Sequence, residues 1–129
     1  MSFQRFANPA LAIASTMLLL SACGGGDGLI DTRGSIAVSN TTGKAAIVYG
    51  AGNQNIANDL ARDKCGGGDC TVVLQFGQCG AISSDSNVGV YAVAEGDSPA
   101  SAQQAADNGC VAKGGQTCAA PADLHARCN

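Results

Sequence analysis

The sequence predicts an α+β fold: a tandem duplication of a ββαβ unit, an antiparallel sheet covered by two helices and stabilised by disulfides. Three observations predict it. Gly34, Ile36, Gly43, Ala46 and Gly50 recur as Gly80, Ile82, Gly89, Ala92 and Gly96, each displaced by 46 positions, and self-similarity in one unbroken register marks a repeated unit. The cysteines repeat in the same order, Cys65, Cys70 and Cys79 and then Cys110, Cys118 and Cys128. Within each copy, short β-prone runs precede residues at helical spacing.

At the amino end, Arg5 precedes the apolar run Ala10 to Leu20, followed by small residues and Cys23, which is the order of a secretory signal. The run is about half of the roughly 20 residues that a membrane-spanning helix needs. Leu20-Ser21-Ala22-Cys23 resembles the lipobox of bacterial lipoproteins, in which small residues admit the cleavage enzyme and the thiol takes a diacylglycerol as a thioether. The resemblance implies cleavage before Cys23 and several acyl chains there, enough for stable anchoring. Residues 1–22 are then a signal peptide and 23–33 the lipidated Cys23 with a flexible tether built on Gly24-Gly25-Gly26-Asp27-Gly28. Residues 34–129 form a single domain of two repeats, 34–79 and 80–128. Gly24, where aspartate would favour inner-membrane retention, points by the same resemblance to the outer membrane.

Without residues 1–22 the chain keeps six cations against ten acids, a formal charge of −4. An acidic surface argues against nucleic acid as a partner. The aromatics left are Tyr49, Phe76 and Tyr91, too few for single-strand stacking platforms and thin for a sugar-binding face. A body of about 95 residues lined by Ala, Gly, Val and Ser buries little area per side chain and is marginal without cross-links. With Cys23 lipidated, six cysteines remain as an even set in an oxidising compartment.

In the first unit, Gly34 to Ser39 and Ala45 to Tyr49 are β-prone runs around the turn Asn40-Thr41-Thr42-Gly43. The second repeats this with Ala81 to Ser84, the turn Asp85-Ser86-Asn87-Val88-Gly89, and Val90 to Ala94. Ile56, Ala57, Leu60 and Ala61 follow at helical spacing, with Asn53 or Asn55 available as cap. The second helix has Ser98 as cap, Pro99 as first residue, Ala102, Ala105 and Ala106 on one face, and Gly109 as terminator. Thr71 to Phe76 is the strongest strand. Its counterpart after Cys118 carries Pro121 and charges, so the last strand is expected to be short, at an edge or missing. Six cysteines allow fifteen pairings that sequence alone does not decide. Cys65 with Cys70 and Cys110 with Cys118 would each clip a helix end to the following strand, leaving Cys79 with Cys128 to join the units. Each bond would contribute on the order of 2 to 4 kcal/mol.

Gly34-Ser35-Ile36-Ala37, the helix ending at Cys65, Cys70-Thr71-Val72-Val73 through Phe76, and Cys79-Gly80-Ala81-Ile82 together resemble the secreted bacterial family of domain of unknown function 4189 (DUF4189). The resemblance covers about residues 34 to 128. It implies a small secreted α+β domain of duplicated sheet-and-helix units and offers no established active site to carry over.

Candidate chemistry is sparse. Gly50-Ala51-Gly52 lies between a strand and a helix, where dinucleotide sites place glycines, but Asn55 stands where the third glycine would be. The loop Gly66-Gly67-Gly68-Asp69 lacks the lysine of a P-loop. His125 is the only histidine, with Asp123 nearby and Ser39, Ser83 and Ser84 as conceivable nucleophiles, yet no Gly-x-Ser-x-Gly elbow occurs. One histidine does not build a common zinc site. Asp85-Ser86-Asn87 lacks the later acidic ligand of a calcium loop, and no Cys-x-x-Cys is present. No catalytic residue, metal or cofactor is therefore expected. The expected function is a lipid-anchored envelope protein acting as a binding or structural module, with the membrane and an envelope protein as partners. The alternatives are an inhibitor of a basic extracytoplasmic enzyme such as lysozyme, by charge complementarity, and a small hydrolase using His125.

Overall fold

The structure is a computed structural model and describes residues 31–66 and 68–129. The expected signal peptide, the expected lipidation site Cys23 and the expected glycine tether, together with Gly67, lie outside the described residues. Strands β1 (Arg33–Ser39) and β2 (Ala45–Ala51) form the first hairpin, and β4 (Cys79–Asp85) and β5 (Val90–Gly96) the second. Their turns close on Gly43 and Gly89, at φ +71° and +68°, a left-handed geometry that glycine adopts without steric cost. Both hairpins outrun the expected ranges by one or two residues at most ends, and Asp85 ends β4 instead of opening the turn.

Helix α1 (Gln54–Cys65) is capped by Asn53, whose side chain accepts from the Ile56 N–H at 3.0 Å. Asn55 plays no part in the cap. Its inward face is Ala57, Ala61 and Cys65, while Ile56 and Leu60 stand 47% and 42% exposed. The expected apolar face thus sat about a quarter-turn off, because only the alanine side fits close against β1 and β2. Helix α2 (Pro99–Ala112) has a full capping box: Ser101 N–H donates to Ser98 Oγ at 3.1 Å, and Ser98 N–H to Ser101 Oγ at 3.0 Å. Ala102, Ala106 and Cys110 are fully buried, whereas Ala105 is exposed. Gly109 does not end the helix; it lies inside it, and the turn to Gly114 (φ +100°) follows.

Strand β3 (Cys70–Phe76) returns antiparallel to β1, giving one sheet of order β2-β1-β3. The second copy gives β5-β4-β6, with β6 (Arg127–Cys128) reduced to two residues. The equivalent strands occupy equivalent places, so the duplication holds in topology as well as sequence. What differs from expectation is that two three-stranded sheets form, not one shared layer. They stack face to face, with Ile36, Val38, Ile47, Phe76 and Ile82 buried between them. On the outer faces, Ala37, Ala46 and Val48 meet Ala61 and Cys65 of α1, and Cys79 and Ala81 meet Ala102 and Ala106 of α2. The layers therefore run α1, first sheet, second sheet, α2. Central strand β1 is covered on both faces, which is why even Ser35 and Ser39 are buried. Disulfides join Cys65 to Cys70, Cys110 to Cys118 and Cys79 to Cys128. Among the described residues no helix is long and apolar enough to cross a membrane.

Candidate binding cleft between the two repeats

The two ends of the sandwich differ. At the end where the chain enters β1, Phe76 fills the inter-sheet space, and Asn129 ties three segments together. Gly50 N–H donates to Asn129 Oδ1 at 2.8 Å, Asn129 Nδ2 donates to Phe76 O at 3.0 Å, and Asn129 N–H donates to Gln78 O at 2.9 Å. The Gly50 N–H near the end of β2 is thus taken by an amide oxygen and is not free for a phosphate.

The opposite end, where the two hairpin turns lie, is open. A cleft of about 450 Å³ runs between the sheets there, a size usual for small-ligand sites. Its walls come in repeat-equivalent pairs, Val38 with Ser84, Gly43 with Gly89 and Ala45 with Tyr91, and Pro121 and Leu124 close one side.

The cause of the opening is a break in the symmetry of the two units. In the first, β3 pairs with β1 along six positions and packs Val73 and Leu74 into the inter-sheet core. In the second, the third strand touches β4 only at its ends, Ala119 with Ser84, and Arg127 and Cys128 with Gly80 and Cys79. Between them the chain bows outward at Pro121, which lacks a ladder donor, and Asp123 takes a positive φ of 66°. Leu124 is the side chain that this segment contributes to the inter-sheet core. The carbonyl of Ile82, left without a strand partner on that side, accepts from Gln103 Nε2 of α2 at 3.3 Å.

Polar groups near the cleft are committed to the fold. Ser39 Oγ donates to Asp69 and accepts from Thr42 N–H at 3.1 Å. The hydroxyls of Ser39 and then Thr41 hold Asp69 below the usual carboxylate range. At the repeat-equivalent position, Asp85 accepts from the N–H groups of Thr117 and Gln116, each at 2.8 Å, and of Asn87 at 3.0 Å. These amides, Thr117 first, lower its pKa to about 2. Three amide protons aimed at one carboxylate make an anion's environment, unsuited to the calcium-type ligation considered for Asp85-Ser86-Asn87. Each tie fixes a strand end to a disulfide-closed loop, 65–70 in the first unit and 110–118 in the second.

The remaining candidates are dispersed. His125 is exposed, and among the described residues no hydrogen bond joins it to Ser39, Ser83, Ser84 or Asp123. Ser83 is fully buried beneath α2, and among the described residues its hydroxyl has no partner. Among the described residues no cluster of three or more metal-type ligands occurs. A second groove, about 610 Å³, lies along the edge of β3 beside Asn58 and Arg62 and is open to solvent. The cleft was not legible in the sequence; its one signal was Pro121, which marked the last strand as irregular.

These features define a small, disulfide-linked, duplicated α+β domain with two stacked sheets. Residues 34–123 match the family described as Domain of unknown function (DUF4189), and the chain belongs to that family. No curated protein and no solved structure matches the chain.

Proposed function

We propose that this is a lipid-anchored envelope protein that works as a non-enzymatic binding module, with the inter-sheet cleft as its ligand site. The observation that carries the reading is the cleft itself, formed where the second unit departs from the first. A scaffold that needed only to fold would gain from a regular third strand in both copies, since pairing and packing both stabilise it. Anchoring through Cys23 rests on the lipobox, with the outer membrane as destination. The polar groups that could suggest catalysis, buried Ser39 and Asp85 and exposed Asp69, are held by structural partners, which supports binding over chemistry.

Filling the cleft tests the reading. Ala45 lines it and packs on the inter-sheet core, so Ala45→Trp would occupy the space from one wall. The mature protein and this variant, purified from envelopes and extracted with organic solvent, would be compared by mass spectrometry. The expected result is a small molecule enriched on the parent and absent from the variant. Identical extracts from both, or no enriched molecule, would overturn the cleft as the site. Mass spectrometry of the amino-terminal peptide tests the anchor: it is expected to begin at a diacylglyceryl-modified Cys23.

A further inference from the structure

We infer that the cleft takes the aliphatic chain of an uncharged, single-chain amphiphile supplied from outside the protein. This deepens the cleft reading and rests on it. Among the described residues that line the cleft, Asp85 is the one charged side chain, and both of its oxygens are spent on amide N–H groups. Ser39 is likewise turned to Asp69. The walls therefore offer no free charge to pair with an ionic head, and burying an unpaired ion there would be costly. What they offer is apolar surface from both sheets, Val38 and Ala45 on one side and Ile82 and the Tyr91 ring on the other, with Leu124 at the side. Stacked sheets lie about 10 Å apart, so the space between them is a slot. A slot with apolar walls suits a flexible chain entering end-first better than a bulky ring system.

The mouth suits a small neutral head. Asn40 and Ser86, repeat equivalents on the two turns, line it and are exposed, offering hydroxyl and amide groups without charge. Tyr91 stands in the wall with Lys113 Nζ 5.3 Å from its ring centroid and bonded to its carbonyl at 2.9 Å. That lysine is thereby held on the edge of β5.

The direction of the chain argues for an outside ligand over the protein's own lipid. The described chain enters β1 at Arg33, at the Phe76 end, and the cleft opens beyond Ser39 at the other end of that strand. Seven strand residues rise roughly 23 Å, so the cleft faces away from the anchored end.

Tyr91 supplies the readout. The mature chain has Tyr49 and Tyr91 and no tryptophan, so Tyr49→Phe leaves Tyr91 as its single emitter. The unlipidated mature chain, produced with Cys23→Ala behind a cleavable secretory signal, would be titrated with monodecanoylglycerol below its micelle concentration. A saturable change in Tyr91 emission is expected, with decanoate and decyltrimethylammonium binding at least tenfold more weakly. Leu124→Asp, a change in the bowed segment and not in a strand, should remove the signal while leaving the circular dichroism unchanged. No saturable change, equal binding of the ionic probes, or full binding by Leu124→Asp would each overturn the inference. If the lipidated chain without added probe already shows the bound emission, its own lipid fills the cleft and the outside source is wrong. If the neutral chain fails to bind while Ala45→Trp still abolishes a co-purifying molecule, the acyl assignment falls and the cleft reading stands.

Discussion

Gly34 and Gly80, equivalent residues of the two repeats, meet at the ring of Phe76. A β-carbon at Gly34 would stand 2.2 Å from Cε2 and Cζ of that ring, and one at Gly80 2.4 Å from Cδ1. The ring belongs to β3 but fills the space between β1 and β4, so the two units are keyed together by one side chain and two absences. Neither glycine has a positive φ; the requirement here is room alone. Gly80→Ala should destabilise the domain by about 3 kcal/mol, the upper part of the overpacking range. The cycle with Phe76→Leu tests the contact in thermal or urea unfolding: the smaller side chain should recover at least about 0.5 kcal/mol beyond additivity. Additive effects would show that ring and β-carbon do not meet.

The disulfides differ in what they constrain. Cys79–Cys128 spans 49 residues of sequence and ties β4 to the carboxyl end, whereas Cys65–Cys70 spans 5. By the loop-closure account these are worth about 4 and about 2 kcal/mol. Cys79→Ala/Cys128→Ala should therefore lower the unfolding midpoint roughly twice as far as Cys65→Ala/Cys70→Ala. Equal losses, or the reverse order, would place the stabilisation elsewhere than in chain entropy.

The repeat, both hairpins, both helices and the irregular last strand could be read from residue order, because each depends on local spacing: turn glycines, caps and the displacement by 46 positions. What residue order does not carry is which apolar face meets which. An alternating strand has the same pattern in one shared sheet as in two stacked ones, so residue order does not carry the division into two sheets. Ile56 and Leu60 have helical spacing and high hydropathy, yet Ala57 and Ala61 won the inward face because a close-packed helix needs small residues there. The cleft depends on the path of residues 119–127 in three dimensions, and Pro121 says only that the strand is interrupted. Six cysteines stood out as a set, but their pairing is one of fifteen until the strands are placed.

Asp85 should set the acid limit of the second unit. Its ordinary value is 3.8 and in the fold it is about 2, held down by the N–H groups of Thr117, Gln116 and Asn87. Between those values the unfolded chain binds more protons than the folded one, so stability rises with pH there and is lost as pH falls from about 4 toward 2. Asp85→Asn keeps one acceptor oxygen but loses the charge. The variant should be less stable at pH 7 and should show a shallower loss between pH 4 and 2, measured as unfolding midpoint against pH. A slope unchanged by the substitution would remove Asp85 from the acid limb.

Ser83 and Ser35 make a final, opposed pair. Both are fully buried serines on central strands beneath a helix. Ser35 Oγ donates to Asn58 Oδ1 and accepts from Gln54 Nε2 at 2.8 Å, whereas among the described residues Ser83 Oγ has no partner, and neither does the nearby helix's Gln103 Oε1. A buried hydroxyl without a partner keeps its desolvation cost and returns nothing. The repeat has already made the replacement at the equivalent place in the first unit, where Ala37 is fully buried. Ser83→Ala should therefore stabilise the domain by about 1 kcal/mol, while Ser35→Ala should cost about 1 kcal/mol by removing its two hydrogen bonds, Gln54 Nε2 and Asn58 Oδ1 keeping the bond between them. Urea midpoints of the two variants decide the matter. If Ser83→Ala costs as much as Ser35→Ala, the Ser83 hydroxyl has a partner such as an internal water bridging it to Gln103, and the layer beneath α2 is polar by construction.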